Sequence, residues 1–106
     1  MKEKFIELTN QYMDEIIKTA SELIQINSQS TKEGEVAQYT VNKMKELGYD
    51  EVVVDAYGSV FGTIKGTGGG SSVMLNCHLD VVDEGDESKW KYPPYSGIIA
   101  EGKIWG

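Results

Sequence analysis

The sequence predicts an α/β fold in which two helices precede a mainly β segment. Three observations support this prediction. Apolar residues recur at helical spacing in the first half of the chain, β-branched residues cluster between positions 51 and 65 on both sides of a turn, and an apolar run at 72–77 leads directly into a histidine. At 106 residues, the chain corresponds to one domain or part of one.

The first predicted helix covers residues 4–25. Apolar side chains recur there at spacings of three, one, three, three and one positions, with charged residues between them. The apolar residues are Met13, Ile16, Ile17, Ala20, Leu23 and Ile24. Such a stripe indicates an amphipathic helix that buries one face in the core. The polar residues 27–31 compete for backbone hydrogen bonds and predict its end.

A second helix is expected from about residue 30 to Gly48. Ser30 and Glu33 have the spacing of a capping box, and Gly48 is suited to the C-terminal cap. The helix would bury a face built from six residues. They are Val36, Ala37, Thr40, Val41, Met44 and Leu47.

The β segment begins with two short strands at 51–55 and 59–65, joined by a turn at Tyr57-Gly58. The glycine-rich residues 66–71 lack both the Gly-Lys-Ser/Thr ending and the following helix of a phosphate-binding loop, so a hairpin-type connection is expected. Residues 72–77 then predict a buried strand. Near the end of the sequence, Glu101-Gly102 predicts a hairpin between 98–100 and 103–105.

Charge and composition narrow the possible partners. Seventeen acidic and ten basic residues give a net charge of −7, which argues against binding to nucleic acid backbones or anionic membrane surfaces. The lone Cys77 excludes an intramolecular disulfide, and the apolar runs are far shorter than the roughly 20 residues that span a bilayer. A cytoplasmic protein is expected.

The chemistry is expected around His78 and Asp80. Side chains two positions apart in extended chain point to the same side, so these two converge at the carboxyl end of the predicted strand 72–77. Imidazole is the commonest neutral metal ligand, and a carboxylate usually fixes its orientation. A catalytic zinc site needs about three protein ligands, so the pair supplies only part of one.

Two successive loops, which together cover residues 79–95, each have more than one interpretation. Residues 79–88 are densely acidic but lack the spacing and closing glutamate of the twelve-residue calcium loop, which favours a solvated surface. The aromatic and proline-rich residues 89–95 indicate either a peptide-recognition surface or an ordered loop over the core, of which the second is simpler.

Three motifs in the second half of the chain resemble the start of the catalytic domain in one family of dinuclear zinc hydrolases. They are Cys77-His78-Leu79-Asp80-Val81-Val82, then Trp90 with Pro93-Pro94-Tyr95-Ser96-Gly97-Ile98, and finally Glu101-Gly102-Lys103-Ile104-Trp105-Gly106. The family includes acetylornithine deacetylase, succinyl-diaminopimelate desuccinylase, aminoacylase, glutamate carboxypeptidases and dipeptidases. The resemblance covers the whole chain in outline and is most specific over residues 75–106.

The resemblance implies a role for each matching residue. His78 would be a metal ligand of one zinc ion, and Asp80 would be the catalytic carboxylate that clamps the His78 ring. Trp90, Pro93 and Pro94 would be structural. Cys77 stands where the family often has glycine, and we interpret it as a small apolar residue and not a ligand.

The resemblance also implies what this chain lacks. Residues 1–106 would be the N-terminal part of a three-layer α/β catalytic domain, whose other ligands, general base and dimerisation domain lie further along. The parent would be a homodimer with two zinc ions, or cobalt or manganese, and would hydrolyse the amide bond of an N-acyl amino acid or dipeptide. The fragment alone would be inactive, hold at most one ion weakly, and self-associate through apolar surface at 98–99 and 104–105.

A small non-catalytic binding module is the alternative interpretation. In it the aromatic loop 90–95 docks a partner, and His78 is a hydrogen-bonded core residue.

Overall fold

A computed structural model describes all 106 residues. It contains three α-helices and two antiparallel sheets of two strands each, which confirms the predicted α/β class. The chain divides into two compact units. The first unit combines residues 1–26 with 84–106, and the second unit comprises residues 27–83.

The second unit packs one helix, α3 (Gly34–Glu46), on a hairpin of β1 (Glu51–Val54) and β2 (Val60–Thr63). Val54 pairs with Val60 next to the predicted turn, where the Asp55 carboxylate accepts hydrogen bonds from the main-chain N–H groups of Tyr57 and Ser59, both at 2.9 Å. The buried apolar side chains of the unit all lie on α3. They are Val36, Ala37 and Val41, three of the six predicted.

The C-terminal end of α3 is the one that the sequence predicts. Gly48 has a φ of +82°, its N–H bonds the Lys45 carbonyl, and the N–H of Tyr49 bonds the Met44 carbonyl. This pair of bonds is the Schellman motif, which places Tyr49 next to Met44. A methyl group added to Gly62 would lie only 2.6 Å from both side chains, so a glycine at this point of β2 lets the helix end approach the hairpin closely.

The N-terminal end of α3 differs from the prediction. The helix starts at Gly34, four residues after Ser30, and no side chain caps it. Glu33 instead accepts a hydrogen bond from the main-chain N–H of Thr31, and the Ser30 hydroxyl donates to Asp80. The predicted capping box is therefore wrong, because each of its two side chains has a different partner.

Residues 72–77 do not form the predicted buried strand. They have no regular secondary structure, and the residues Val73, Met74 and Leu75 are 85%, 77% and 93% exposed. A strand forms only where a neighbouring strand accepts and donates its backbone hydrogen bonds, and no such neighbour lies beside this segment. The predicted hairpin across residues 66–71 is absent for the same reason.

The first unit opens with two helices where one was expected, α1 (Lys2–Gln11) and α2 (Met13–Ile24). They meet at Tyr12, whose ψ of 8° departs from helical geometry. Thr9 and Asn10 before it are weak helix formers, and the Thr9 hydroxyl bonds the Phe5 carbonyl at 2.8 Å, a contact that often bends helices.

The apolar stripe of α2 is less buried than its period predicts. Met13 and Ile16 are exposed, whereas Ile17, Ala20, Leu23 and Ile24 are half-buried. Helical periodicity determines which side chains share a face, but their burial requires a surface that covers the whole face. Here only the C-terminal half of α2 has such a cover.

That cover comes from residues 92–106. The predicted hairpin is present as β3 (Ile99–Ala100) and β4 (Lys103–Ile104), with positive φ at both turn residues, Glu101 and Gly102. The helix α2 contacts β4, and the buried Ser21 hydroxyl donates to the Gly97 carbonyl at 2.7 Å. The Trp105 indole packs edge-on to Tyr92 with 5.1 Å between ring centroids.

The aromatic loop is ordered by contacts within the same unit. The indole N–H of Trp90 donates to the Glu84 carbonyl at 3.0 Å, and the Tyr95 hydroxyl donates to the Glu84 carboxylate at 2.7 Å. Pro94 is buried. These contacts favour an ordered loop over a free peptide-recognition surface.

A short 3-10 helix, Glu87–Lys89, begins at the end of the acidic residues 79–88. The Asp86 carboxylate caps it by accepting from the Ser88 N–H at 3.0 Å and from the Ser88 hydroxyl at 2.6 Å. The Ser88 hydroxyl, followed by its N–H, holds the Asp86 pKa below the ordinary value. None of the helices combines the length and apolar character that crossing a membrane requires.

We expect Gly97→Ala to destabilise the first unit more than Gly102→Ala does. Both glycines have positive φ and share that backbone cost, but only at Gly97 would the new methyl group meet backbone, 2.5 Å from the Ser21 carbonyl oxygen. Overpacking of this kind costs about 1–3 kcal/mol. Urea unfolding followed by tryptophan fluorescence measures the difference, since Trp90 and Trp105 both lie in this unit. Equal losses in the two variants would contradict the packing seen at Gly97.

The cap at Asp86 should weaken in acid. The Asp86 pKa is lower in the folded chain than in the unfolded chain, where it is about 3.9. The cap therefore stabilises the fold fully at pH values above the unfolded-state pKa, and this stabilisation is lost as the pH falls through the folded-state pKa. Carboxyl-carbon NMR should give an Asp86 midpoint below about 3.9, and Ser88→Ala should raise it. A midpoint that Ser88→Ala leaves unmoved would show that the hydroxyl does not hold the carboxylate.

Candidate functional site

His78 and Asp80 meet in the second unit, as their spacing predicts. The Nδ1 atom of His78 lies 2.8 Å from the Asp80 main-chain oxygen and 3.2 Å from Oδ1 of its carboxylate. Both oxygens are acceptors, so in the neutral ring the proton belongs on Nδ1 and the lone pair on Nε2. The His78 side chain is 84% exposed, which leaves Nε2 open to solvent.

The other carboxylate oxygen of Asp80 has its own donor. The Ser30 hydroxyl donates to Oδ2 at 2.8 Å across 50 positions of sequence. This hydrogen bond is the main cause that lowers the Asp80 pKa; desolvation opposes it and the neighbouring His78 adds to it. Asp80 is therefore a carboxylate at neutral pH, with one oxygen toward Ser30 and the other toward the imidazole.

The main chain sets these two segments side by side. The buried Ser28 hydroxyl donates to the Leu79 carbonyl at 2.9 Å, the Val81 N–H donates to the Ser28 carbonyl at 3.0 Å, and Gln29 and Val81 form a parallel bridge. Ser28 is only 3% exposed, so its hydroxyl needs this partner. We call residues 28–30 together with 79–81 the paired segments.

The placement of the site differs from the prediction in one respect. His78 was expected at the carboxyl end of a buried strand, but the segment before it is exposed and irregular. Extended backbone is sufficient to bring side chains two positions apart to one side, so the convergence does not depend on that strand. The site is held in place by the paired segments, which include residues 79–81 directly after His78, and not by the residues before it.

Ser28 and Ser30 were not predicted as part of the site. The sequence does contain a signal, because Ser28-x-Ser30 and His78-x-Asp80 are both polar pairs at alternating positions. Each pair puts two side chains on one side of an extended chain. No hairpin or turn connects the two pairs, so the sequence does not predict that they face each other.

The residues of this chain fit one edge of a metal centre and not a whole one. The two Asp80 oxygens beside Nδ1 favour the tautomer that leaves the Nε2 lone pair free for a metal ion, and one of them belongs to a carboxylate, the usual partner of a ligating histidine. No group of three or more His, Cys, Asp or Glu side chains lies where it could hold a metal ion. Cys77, next to His78, is exposed.

Comparison with curated proteins finds relatives that align with most of this chain. A probable succinyl-diaminopimelate desuccinylase of Staphylococcus epidermidis is 28% identical over 91 residues, which are 85% of this chain and 22% of that protein. A succinyl-diaminopimelate desuccinylase of Alkalilimnicola ehrlichii is 30% identical over 95 residues, 89% of this chain and 25% of the relative. The uncharacterised protein YgeY of Escherichia coli K12 is 28% identical over 101 residues, 95% of this chain and 25% of YgeY.

The chain thus spans about a quarter of the length of these relatives. Neither a family model nor a solved structure matches it. The relatives align with nearly all of the chain, including most of both units, and two of the three have desuccinylase names. These matches confirm the resemblance to the hydrolase family that includes the succinyl-diaminopimelate desuccinylases, over about a quarter of the relatives' length.

Proposed function

We propose that this chain is the N-terminal part of the catalytic domain of a zinc-dependent amidohydrolase, within a three-layer α/β domain. The observation that supports it most directly is the His78 imidazole, whose Nδ1 is held by Asp80 and whose Nε2 is open. The lengths of the relatives agree with a larger protein. So does the exposure of Val73, Met74 and Leu75, since apolar side chains in a row are normally covered.

In this proposal His78 binds one of two zinc ions through Nε2, and Asp80 is the carboxylate that clamps the ring. When bound, the metal supplies Lewis acidity toward the scissile carbonyl and toward a water molecule. Asp80 holds the proton on Nδ1 and makes the imidazole a stronger donor to the metal. Other ligands and the general base belong to chain beyond these residues, so this chain by itself is proposed to be inactive.

The proposed reaction is hydrolysis of an amide bond in a small N-acyl amino acid or dipeptide. The names of the relatives favour removal of a succinyl group as the first activity to test. We place the protein in the cytoplasm, as a homodimer in its full-length form.

Zinc titration of this chain tests the ligand role. His78→Ala should weaken zinc binding by more than Asp80→Ala does, and Asp80→Ala should weaken it about 10–100-fold, as the loss of a carboxylate behind a ligating histidine does. Asp86→Ala is the matched control, because it removes an equally charged side chain from the same acidic stretch. Calorimetry gives the affinities. If His78→Ala binds zinc like the unsubstituted chain, the ligand role is wrong.

Hydrolysis by the full-length protein that contains this chain tests the reaction. We expect release of free carboxylate from N-succinyl-diaminopimelate, N-acetyl amino acids or dipeptides, with loss of turnover after chelation and restoration by zinc. His78→Ala should lower kcat/KM by more than the 10–100-fold that follows loss of a carboxylate behind a ligating histidine, because it removes the ligand itself, whereas Asp86→Ala should not change kcat/KM. Full turnover in the chelated protein or in the His78 variant would overturn the proposal.

A further inference from the structure

The clamp on His78 depends on how the Asp80 carboxylate is itself held. The Asp80 side chain is 42% exposed, and a carboxylate in such a place rotates freely unless a second contact fixes it. One of its oxygens faces His78 Nδ1 and the other accepts from the Ser30 hydroxyl at 2.8 Å. The contacts with His78 and Ser30 are made by different oxygens, and together they fix the plane of the carboxylate. A single contact would leave the carboxylate free to rotate.

Ser30 is in turn fixed by the main chain. Two hydrogen bonds attach Ser28 to Leu79 and Val81, and the Gln29–Val81 bridge continues the pairing toward Ser30. The hydroxyl of Ser30 therefore faces Asp80 from a backbone that is anchored independently of the Asp80 side chain. Ser30 thus directly follows two residues whose contacts with Leu79 and Val81 do not involve the Asp80 side chain.

We propose that Ser30 is a positioning residue, whose hydroxyl orients the Asp80 carboxylate and thereby keeps the proton of His78 on Nδ1. The importance of this role for catalysis rests on the proposed function, because the tautomer matters when Nε2 binds a metal. The tautomer itself does not require a metal. The inference is therefore testable on this chain without zinc.

The hydroxyl is the group that matters, and not the size of the side chain. Ser30→Ala removes the donor, so water replaces it on Oδ2 and the carboxylate loses its fixed plane. Ser30→Thr keeps a hydroxyl. Ser88→Ala is the matched control, since Ser88 donates to Asp86 at 2.6 Å in the same manner but has no histidine behind its carboxylate.

The test is nitrogen-15 NMR of the imidazole at a pH where the ring is neutral. His78 is the only histidine, so one pair of ring nitrogens is observed and needs no assignment. In metal-free chain with Ser30→Ala, the ratio of Nδ1–H to Nε2–H tautomer should fall about fivefold, the effect of losing a hydrogen bond of ordinary net strength. Ser30→Thr should restore the ratio, and Ser88→Ala should leave it unchanged.

The Val81 amide reports whether the paired segments persist, because its N–H bonds the Ser28 carbonyl. An unchanged tautomer ratio in Ser30→Ala overturns the inference. So does a change accompanied by loss of the Val81 hydrogen bond, or a change that Ser30→Thr fails to reverse. Zinc titration separates this result from the proposed function. Suppose that Ser30→Ala changes the tautomer ratio but His78→Ala leaves the zinc affinity unchanged. The positioning role of Ser30 would then stand, and the proposal that His78 binds the metal would be wrong.

Discussion

The pairing of residues 28–30 with 79–81 is the constraint on which the site depends. It joins positions 50 and 51 residues apart in the sequence, and all of α3, β1 and β2 lies in the loop that it closes. Closing such a loop costs entropy that grows only slowly with its length, so a few well-made contacts suffice to hold it. The buried Ser28 hydroxyl stabilises this pairing, because its hydrogen-bond acceptor is the Leu79 carbonyl. Ser30 and Asp80 face each other as a consequence.

The features that were predicted correctly from the sequence are local, because each depends on residues close together in the chain. Three of these features need backbone conformations that glycine adopts easily: the cap at Gly48, the turn at Tyr57-Gly58 and the hairpin at Glu101-Gly102. A few residues are therefore sufficient to predict each of them. The convergence of His78 and Asp80 is equally local, because it follows from their spacing. Ser30 shows the limit. Its spacing to Glu33 fits a capping box, but a distant carboxylate accepts its hydroxyl instead, and no local pattern contains that information.

Burial was predicted less well than secondary structure. The period of α2 gave the correct face, yet Met13 and Ile16 on that face are exposed. Residues 72–77 have the composition of a buried strand and no cover at all. An apolar pattern states which residues need neighbours, and only the rest of the protein supplies them. Since the relatives are about four times longer than this chain, both exposed surfaces are places where a longer protein would gain contacts.

Asp80 and Asp86 show why a perturbed carboxylate does not by itself indicate a functional site. Both accept a serine hydroxyl, and in both the serine is the main cause that lowers the pKa. Asp86 bonds Ser88, two residues away, and the result is the cap of a short helix. Asp80 bonds a serine from a distant segment with one oxygen and an exposed imidazole with the other. The difference lies in that second partner. A carboxylate that connects a fixed donor to an open imidazole can control where the imidazole holds its proton, whereas a capping carboxylate only completes a turn.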